Sequence, residues 1–201
     1  RLLLVLDNFE QVSAAAMEMA VLLRRCKGIK ILATSRTPLL LAGEHEYAVP
    51  TLSVPPAAAS IPVQAGGGLM KYESVELFVA RVRQHQPDFV VTVENAEWIS
   101  SVCRRLDGIP LAIELAAAAL RRMAVERLAS VLLGETNWLQ ELHSPARDLP
   151  PRQRTLAEAV AWSYRLLDSA AQTYLRWLSV FAGGFTWAAA EAVCGADRAA
   201  L

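Results

Sequence analysis

The chain has 201 residues, 20 basic and 20 acidic side chains, and a hydrophobic content of 54%. A formal charge of zero, with no polybasic patch and no acidic tail, gives no electrostatic footprint for nucleic acid or for a basic partner. The length admits one large domain or two to three small ones. Cys26, Cys103 and Cys194 are widely spaced and include no CxxC pair. They form neither a disulfide framework nor a zinc site, and read as small core residues in a reducing cytoplasm. No apolar run reaches membrane-spanning length and no signal peptide is visible, so no membrane partner is expected. The chain opens inside an apolar run and without Met, as a piece of a longer protein would.

Leu2 to Leu6 is an unbroken apolar run followed by Asp7. Such a run suits a parallel strand buried on both faces. Asp7 then stands at the strand's carboxyl end, where ligands bind in open α/β sheets. Two readings of Asp7 are open: a carboxylate for Mg²⁺, or a cap for the next helix. Gln11 to Arg25 carries Val12, Ala15, Ala16, Met19, Leu22 and Leu23 at helical spacing. Arg24, Arg25 and Lys27 suit the helix end, and Gly28 stops it. Ile29 to Ala33 is a second short strand, with Thr34, Ser35 and Arg36 after it, and Glu44 to Pro50 reads as a third. Strand–helix–strand with short loops predicts a parallel α/β sheet. It also brings Asp7 and Arg36 to one sheet edge. An acid for a metal beside an arginine for a phosphate is a sensible pair at a nucleotide's terminal phosphate. Alone, Arg36 reads as a surface arginine at a strand end.

From Thr51 to Lys71 proline, alanine and glycine dominate without any period, which predicts a linker or mobile loop. Gly66 to Lys71 is not a P-loop, because a P-loop requires G-x-x-x-x-G-K-[ST] after a strand and Tyr72 follows this lysine. From Glu73 the pattern is helical. Ser74 to Val82 forms one amphipathic helix, ending near Gln86 and Pro87. Asn95 is expected to cap a second, with Ile99, Val102, Cys103 and Leu106 inward and Asp107-Gly108 at its end. Pro110 suits the first position of a third, which runs from Leu111 to Arg122, is nearly all Leu, Ile and Ala, and should be deeply buried. A fourth covers Val125 to Leu133.

Residues 135–154 form an irregular connector. Leu156 to Leu167 is the next helix, Asp168 caps one over Ser169 to Phe181, and Gly183-Gly184 breaks it. Thr186 caps a last helix, closed by Gly195. Three short helices with tight turns suit a helix-turn-helix or winged-helix unit, with no wing up to residue 201. Trp162, Tyr164, Trp177 and Phe181 are expected as core aromatics. His45, His85 and His143 are too dispersed in the sequence to suggest a metal site.

Four segments stand in order: LLLVLDNFEQV, ILATSRTPL, LDGIPLAIELAAA, and Arg154 to Gly195 with its WSY and LSVFAGGF text. This order resembles STAND-class P-loop ATPases of the NB-ARC arrangement, and most of all the ATPase modules of bacterial LuxR- and SARP-type transcriptional regulators. The resemblance implies a parallel α/β P-loop NTPase fragment without its Walker A strand (residues 1–50), a linker (51–72), an all-α helical lid (73–134), a connector (135–154) and a partial winged-helix unit (155–201). It implies ATP or ADP with Mg²⁺ as cofactors. Asp7 becomes the Walker B acid on the metal with Asn8 beside it, and Glu10 helps orient the attacking water. Arg36, with Thr34 and Ser35, becomes the sensor of the γ-phosphate. Gly108, Ile109, Pro110 and Leu111 become the GxP motif on the adenine and ribose side. Read locally, Pro110 simply starts a helix and Asn8 is an Asx-turn residue.

The resemblance also places a P-loop strand between the two strands seen here. Without it their edges are unpaired, so the isolated chain is expected either to be unstable or to pair residues 2–6 directly with 29–34. Three functions follow. The first is a nucleotide switch in a transcriptional regulator, with slow hydrolysis, intramolecular effector and sensor domains, possible homo-oligomerisation, and DNA bound through another domain. In that case the chain alone binds nucleotide weakly or not at all. The second is DNA binding through residues 155–201. The third is an interaction scaffold whose nucleotide site has decayed.

Overall fold

The structure, a computed structural model, describes residues 1–56, 68–134, 138–139, 141–146, 148–182 and 184–195. Residues 57–67 of the expected linker, parts of the 135–154 connector, Gly183 and the last six residues lie outside the described set. The chain divides into two compact units, Arg1–Pro50 and Thr51–Leu201.

In the first unit β1 (Leu2–Leu6) pairs in parallel with β2 (Ile29–Ala33), in register from Leu2 opposite Ile29 to Leu6 opposite Ala33. No strand intervenes, so direct pairing is the alternative that occurs. Leu2 N–H donates to Gly28 O and Thr34 N–H to Leu6 O, which extends the ladder at both ends. The connection is a 3₁₀ turn, Phe9–Ala15, then α1 (Ala16–Arg25). The single helix expected over residues 11–25 is thus split. Val12 leaves helical geometry at φ −129° and ψ 29°, and its side chain faces solvent rather than the core.

Burial on both faces of β1 does not occur. Leu4, Leu6, Ile31 and Ala33 are half-buried, and Leu6, Ile31 and Ala33 pack against a small core of Phe9, Ala16 and Met19. Leu3 (59% exposed), Val5 (59%) and Leu32 (57%) form the other face. An apolar run records the capacity for two-sided burial, but one helix within residues 1–50 covers only one side. The third strand is also absent. Residues 44–50 carry no helix or strand and, among the described residues, pair with nothing in a ladder, and Tyr47 and Val49 are more than 80% exposed. Glu44 instead folds the preceding turn by accepting from Leu39 N–H at 2.9 Å and Leu41 N–H at 3.1 Å. Those two backbone donors hold its carboxyl below the usual range.

The second unit is helical: α2 (Glu73–Arg83), α3 (Val93–Arg105), α4 (Pro110–Ala119), α5 (Val125–Leu133), α6 (Leu156–Arg165), α7 (Ser169–Leu178) and α8 (Trp187–Cys194). Phe78, Val82, Ile99, Leu106, Ile113, Leu128 and Leu132 form its core. The apolar α4 is central, as its composition predicts, with Ala112, Ile113, Leu115, Ala116, Ala117 and Ala119 buried. Asn95 is not the N-cap of α3. Thr92 holds that place, and Asn95 reaches back from the third helical position to accept Thr92 N–H at 2.8 Å.

Residues 51–56, expected as linker, are tied to the helices. Ser53 N–H donates to Glu73 Oε2 at 3.0 Å, Glu73 N–H returns to Ser53 Oγ at 3.1 Å, and Pro56 O accepts from Arg104 at 2.8 Å. In α7 and α8, Asp168 and Thr186 cap as expected by accepting from Ala171 and Ala189 N–H, and α6 has a cap the sequence reading did not name, Thr155, which accepts from Glu158 N–H. The core role expected of the aromatics is not met. No residue of α6 or α7 is buried. Arg152 lies over the Trp162 ring, Tyr164 accepts from Arg176 at 2.7 Å, Trp177 is exposed, and Phe181 packs on Phe185. Among the described residues of α6–α8 only Ala190 and Cys194 of α8 are buried.

Candidate functional site

The parallel pairing sets the carboxyl ends of β1 and β2 side by side, and six of the sequence-selected residues follow from those ends. Thr34 Oγ1 donates to Asp7 Oδ1 at 2.5 Å and accepts Asn8 N–H at 3.0 Å. Asn8 Nδ2 donates to Asp7 Oδ2, also at 3.0 Å. Phe9 N–H donates to Thr34 O at 2.8 Å, which locks the turn after β1 onto the end of β2. Asn8 sits in the left-handed region at φ 57°, which asparagine adopts more readily than most residues. That conformation turns the chain sharply enough for the 3₁₀ turn to begin at Phe9.

Three residues past Asp7 and two past Thr34, a second link forms. Arg36 Nε lies 3.4 Å from Glu10 Oε1, with the arginine side chain 51% exposed and the glutamate 16%. Ser35 spends its hydroxyl locally, donating to Thr37 O at 2.7 Å. Asp7 and Arg36 are therefore joined to the same pair of strand ends, through Thr34 on one side and Glu10 on the other. Thr34 stands here as the partner of Asp7, a role its position in the sequence did not disclose. The Glu10–Arg36 pair was equally hidden, since 26 residues separate its members.

Asp7 is a hard oxygen donor of the kind Mg²⁺ takes. That ion usually draws one or two carboxylates from a protein and completes its octahedron with water and phosphate. Each oxygen of Asp7 accepts one hydrogen bond, and a carboxylate oxygen has two lone pairs, so both keep one for a metal. Among the described residues no group of three or more His, Cys, Asp or Glu gathers as a metal cage. The residues fit a magnesium ion held partly by its substrate's phosphates and do not fit one held by protein alone.

Gly108 to Leu111 belong to the second unit. Asp107 and Gly108 are both left-handed, at φ 50° and 67°. Gly108 O accepts Leu52 N–H at 3.0 Å, and a Cβ on Gly108 would stand 2.0 Å from Leu52 O. Ile109 precedes the helix in extended geometry, Pro110 is its first residue, and both are exposed. Leu111 is half-buried against the core. Glycine is thus required at 108 by the backbone of residue 52, a constraint that no local pattern reveals.

No protein-family model matches the chain, and no solved structure matches it. It is 39% identical over 199 residues to a Mycobacterium tuberculosis H37Rv protein named "Putative HTH-type transcriptional regulator", and to a protein of the same designation in Mycobacterium bovis. That alignment takes 98% of this chain and 20% of the relative. An "Uncharacterized protein" of Mycobacterium tuberculosis H37Rv is 36% identical over 98% of this chain and 46% of its own length. Among the described residues no helix is long and apolar enough to cross a membrane. The chain spans a fifth to less than half the length of these relatives, and is similar to one segment of longer mycobacterial proteins.

Proposed function

We propose that the chain is part of a nucleotide-controlled switch in a transcriptional regulator, of the STAND ATPase type. The supporting observation is the convergence of Asp7 and Arg36 on two hydrogen-bonded strand ends, each held by a residue of the opposite end. The relatives' regulator name supports the biological setting. In this reading Asp7 holds Mg²⁺, Thr34 and Asn8 fix the carboxylate, and Arg36 meets the γ-phosphate. The metal, when bound, neutralises charge on the phosphates. ADP favours a closed arrangement of the core, the helical lid and a winged-helix unit, and ATP an open one that oligomerises. DNA contact belongs to another domain.

A glycine-rich phosphate loop is not among these 201 residues, so the chain alone should bind Mg·ATP only in the millimolar range. Heteronuclear NMR titration tests this. Resonances of Asp7, Thr34 and Arg36 should shift together, and Asp7→Asn and Arg36→Gln should each weaken the response several-fold. Shifts confined to other residues would defeat the reading.

The relatives' "HTH-type" name favours DNA contact by α6–α8 as a second reading. Salt-sensitive gel shift by this chain would support it, and absence of any shift at low salt would dismiss it.

A further inference from the structure

The Asp7, Thr34 and Asn8 contacts satisfy one another at the strand ends, whereas the contact beside them joins a carboxyl group to a guanidinium. A guanidinium binds carboxylate or phosphate best through two parallel N–H bonds of about 2.7–2.9 Å. Arg36 meets Glu10 through Nε at 3.4 Å, a looser and more replaceable contact. Glu10 sits in the first turn of the 3₁₀ segment, one residue after the buried Phe9 and two before the kink at Val12. Its carboxylate is mostly shielded while the arginine is half exposed. Half of the arginine side chain therefore faces solvent, while Glu10 is fixed to an element that is already irregular.

We propose that Glu10 is an intramolecular counter-ion that occupies Arg36 until the terminal phosphate of a nucleoside triphosphate displaces it. This rests on the nucleotide reading above and adds a regulatory step to it. A diphosphate has no third phosphate to compete, so the pair stays closed. A triphosphate takes the arginine and leaves Glu10 to move with the Phe9–Ala15 turn. Glu10 is then a positioning residue for Arg36, and the ion pair makes the site sensitive to the number of phosphates.

The test is NMR titration of the full chain with Mg·ATP and with Mg·ADP at low salt, following the Arg36 Nε–H resonance. Four proteins are compared: wild type, Glu10→Gln, Arg36→Gln, and the double variant, with Thr34 and Ser35 amides as reporters where Arg36 is absent. An ion pair with one half-exposed member and a long contact is weak, so Glu10→Gln should lower the half-saturating Mg·ATP concentration by about two- to five-fold. It should leave Mg·ADP unchanged. Arg36→Gln should weaken Mg·ATP binding, and the double variant should match Arg36→Gln alone. If Arg36→Gln weakens binding but Glu10→Gln equals wild type, the nucleotide reading stands and the counter-ion role is overturned. If Glu10→Gln strengthens ATP and ADP equally, the discrimination is overturned. If Arg36→Gln changes nothing, Arg36 is no phosphate sensor and both ideas fall.

Discussion

Two residues of the helical unit answer to physical constraints that can be measured. Gly108 combines a left-handed backbone with an approach to Leu52 O that leaves no room for a Cβ. Gly108→Ala should therefore cost about 2–5 kcal/mol, the sum of backbone strain and overpacking. Urea unfolding checks it, and a loss under 1 kcal/mol would mean the strap yields easily. Cys103 is the second case. Burial pushes its thiol up from 9.0 to about 12. Below about pH 9 folded and unfolded chains both hold that proton, and stability through this group is independent of pH. Between about 9 and about 12 the unfolded thiol ionises and the folded one does not, so stability falls as pH rises. The slope is at most about 1.4 kcal/mol per pH unit. The stability gap between wild type and Cys103→Ala should narrow from pH 8 to pH 10, as read from urea midpoints.

At the scale of elements, what the sequence discloses depends on how far away the deciding partner lies. Asp168 and Thr186 cap helices through amides three residues on, and both were legible, whereas Thr155 caps α6 in the same way and was overlooked. Asp168→Ala should cost about 1 kcal/mol and fray the start of α7, visible as lost protection of the Ala171 amide. Thr92 and Asn95 are both good capping residues in reciprocal positions, which is why sequence alone chose the wrong one. The apolar α4 needed no partner to identify its burial. Residues 44–50 have strand-like composition, but a strand exists through its ladder, and no described segment supplies one. The candidate site divides in the same way. Asp7 and Arg36 are each readable at the end of an apolar run. Their bridges through Thr34 and Glu10 span 27 and 26 positions and came only with the fold.

For the whole molecule, the division at Pro50 and Thr51 puts an exposed segment without helix or strand just before, in sequence, a well-packed helical unit. Chymotrypsin should cut first after Tyr47, because cleavage requires exposed backbone without ladder hydrogen bonds. The fragment beginning at Ala48 should keep its helical circular dichroism and its unfolding midpoint. Early cuts within α2–α5 would contradict the packing of that unit. The open sheet face with Leu3, Val5 and Leu32 is a patch of the kind that promotes association.

The ties between residues 52–56 and the helices carry one more implication. Leu52 N–H is bonded to Gly108 O, and Ser53 N–H to a glutamate carboxylate, in a stretch with no helix or strand. In heavy water, slow isotope uptake at these two amides would form a quiet island beside the rapidly labelled residues 45–50. Uptake at Leu52 would then report the opening of the α3–α4 corner at Gly108, 56 residues further along the chain, and uptake at Ser53 that of the start of α2, before any helix melts.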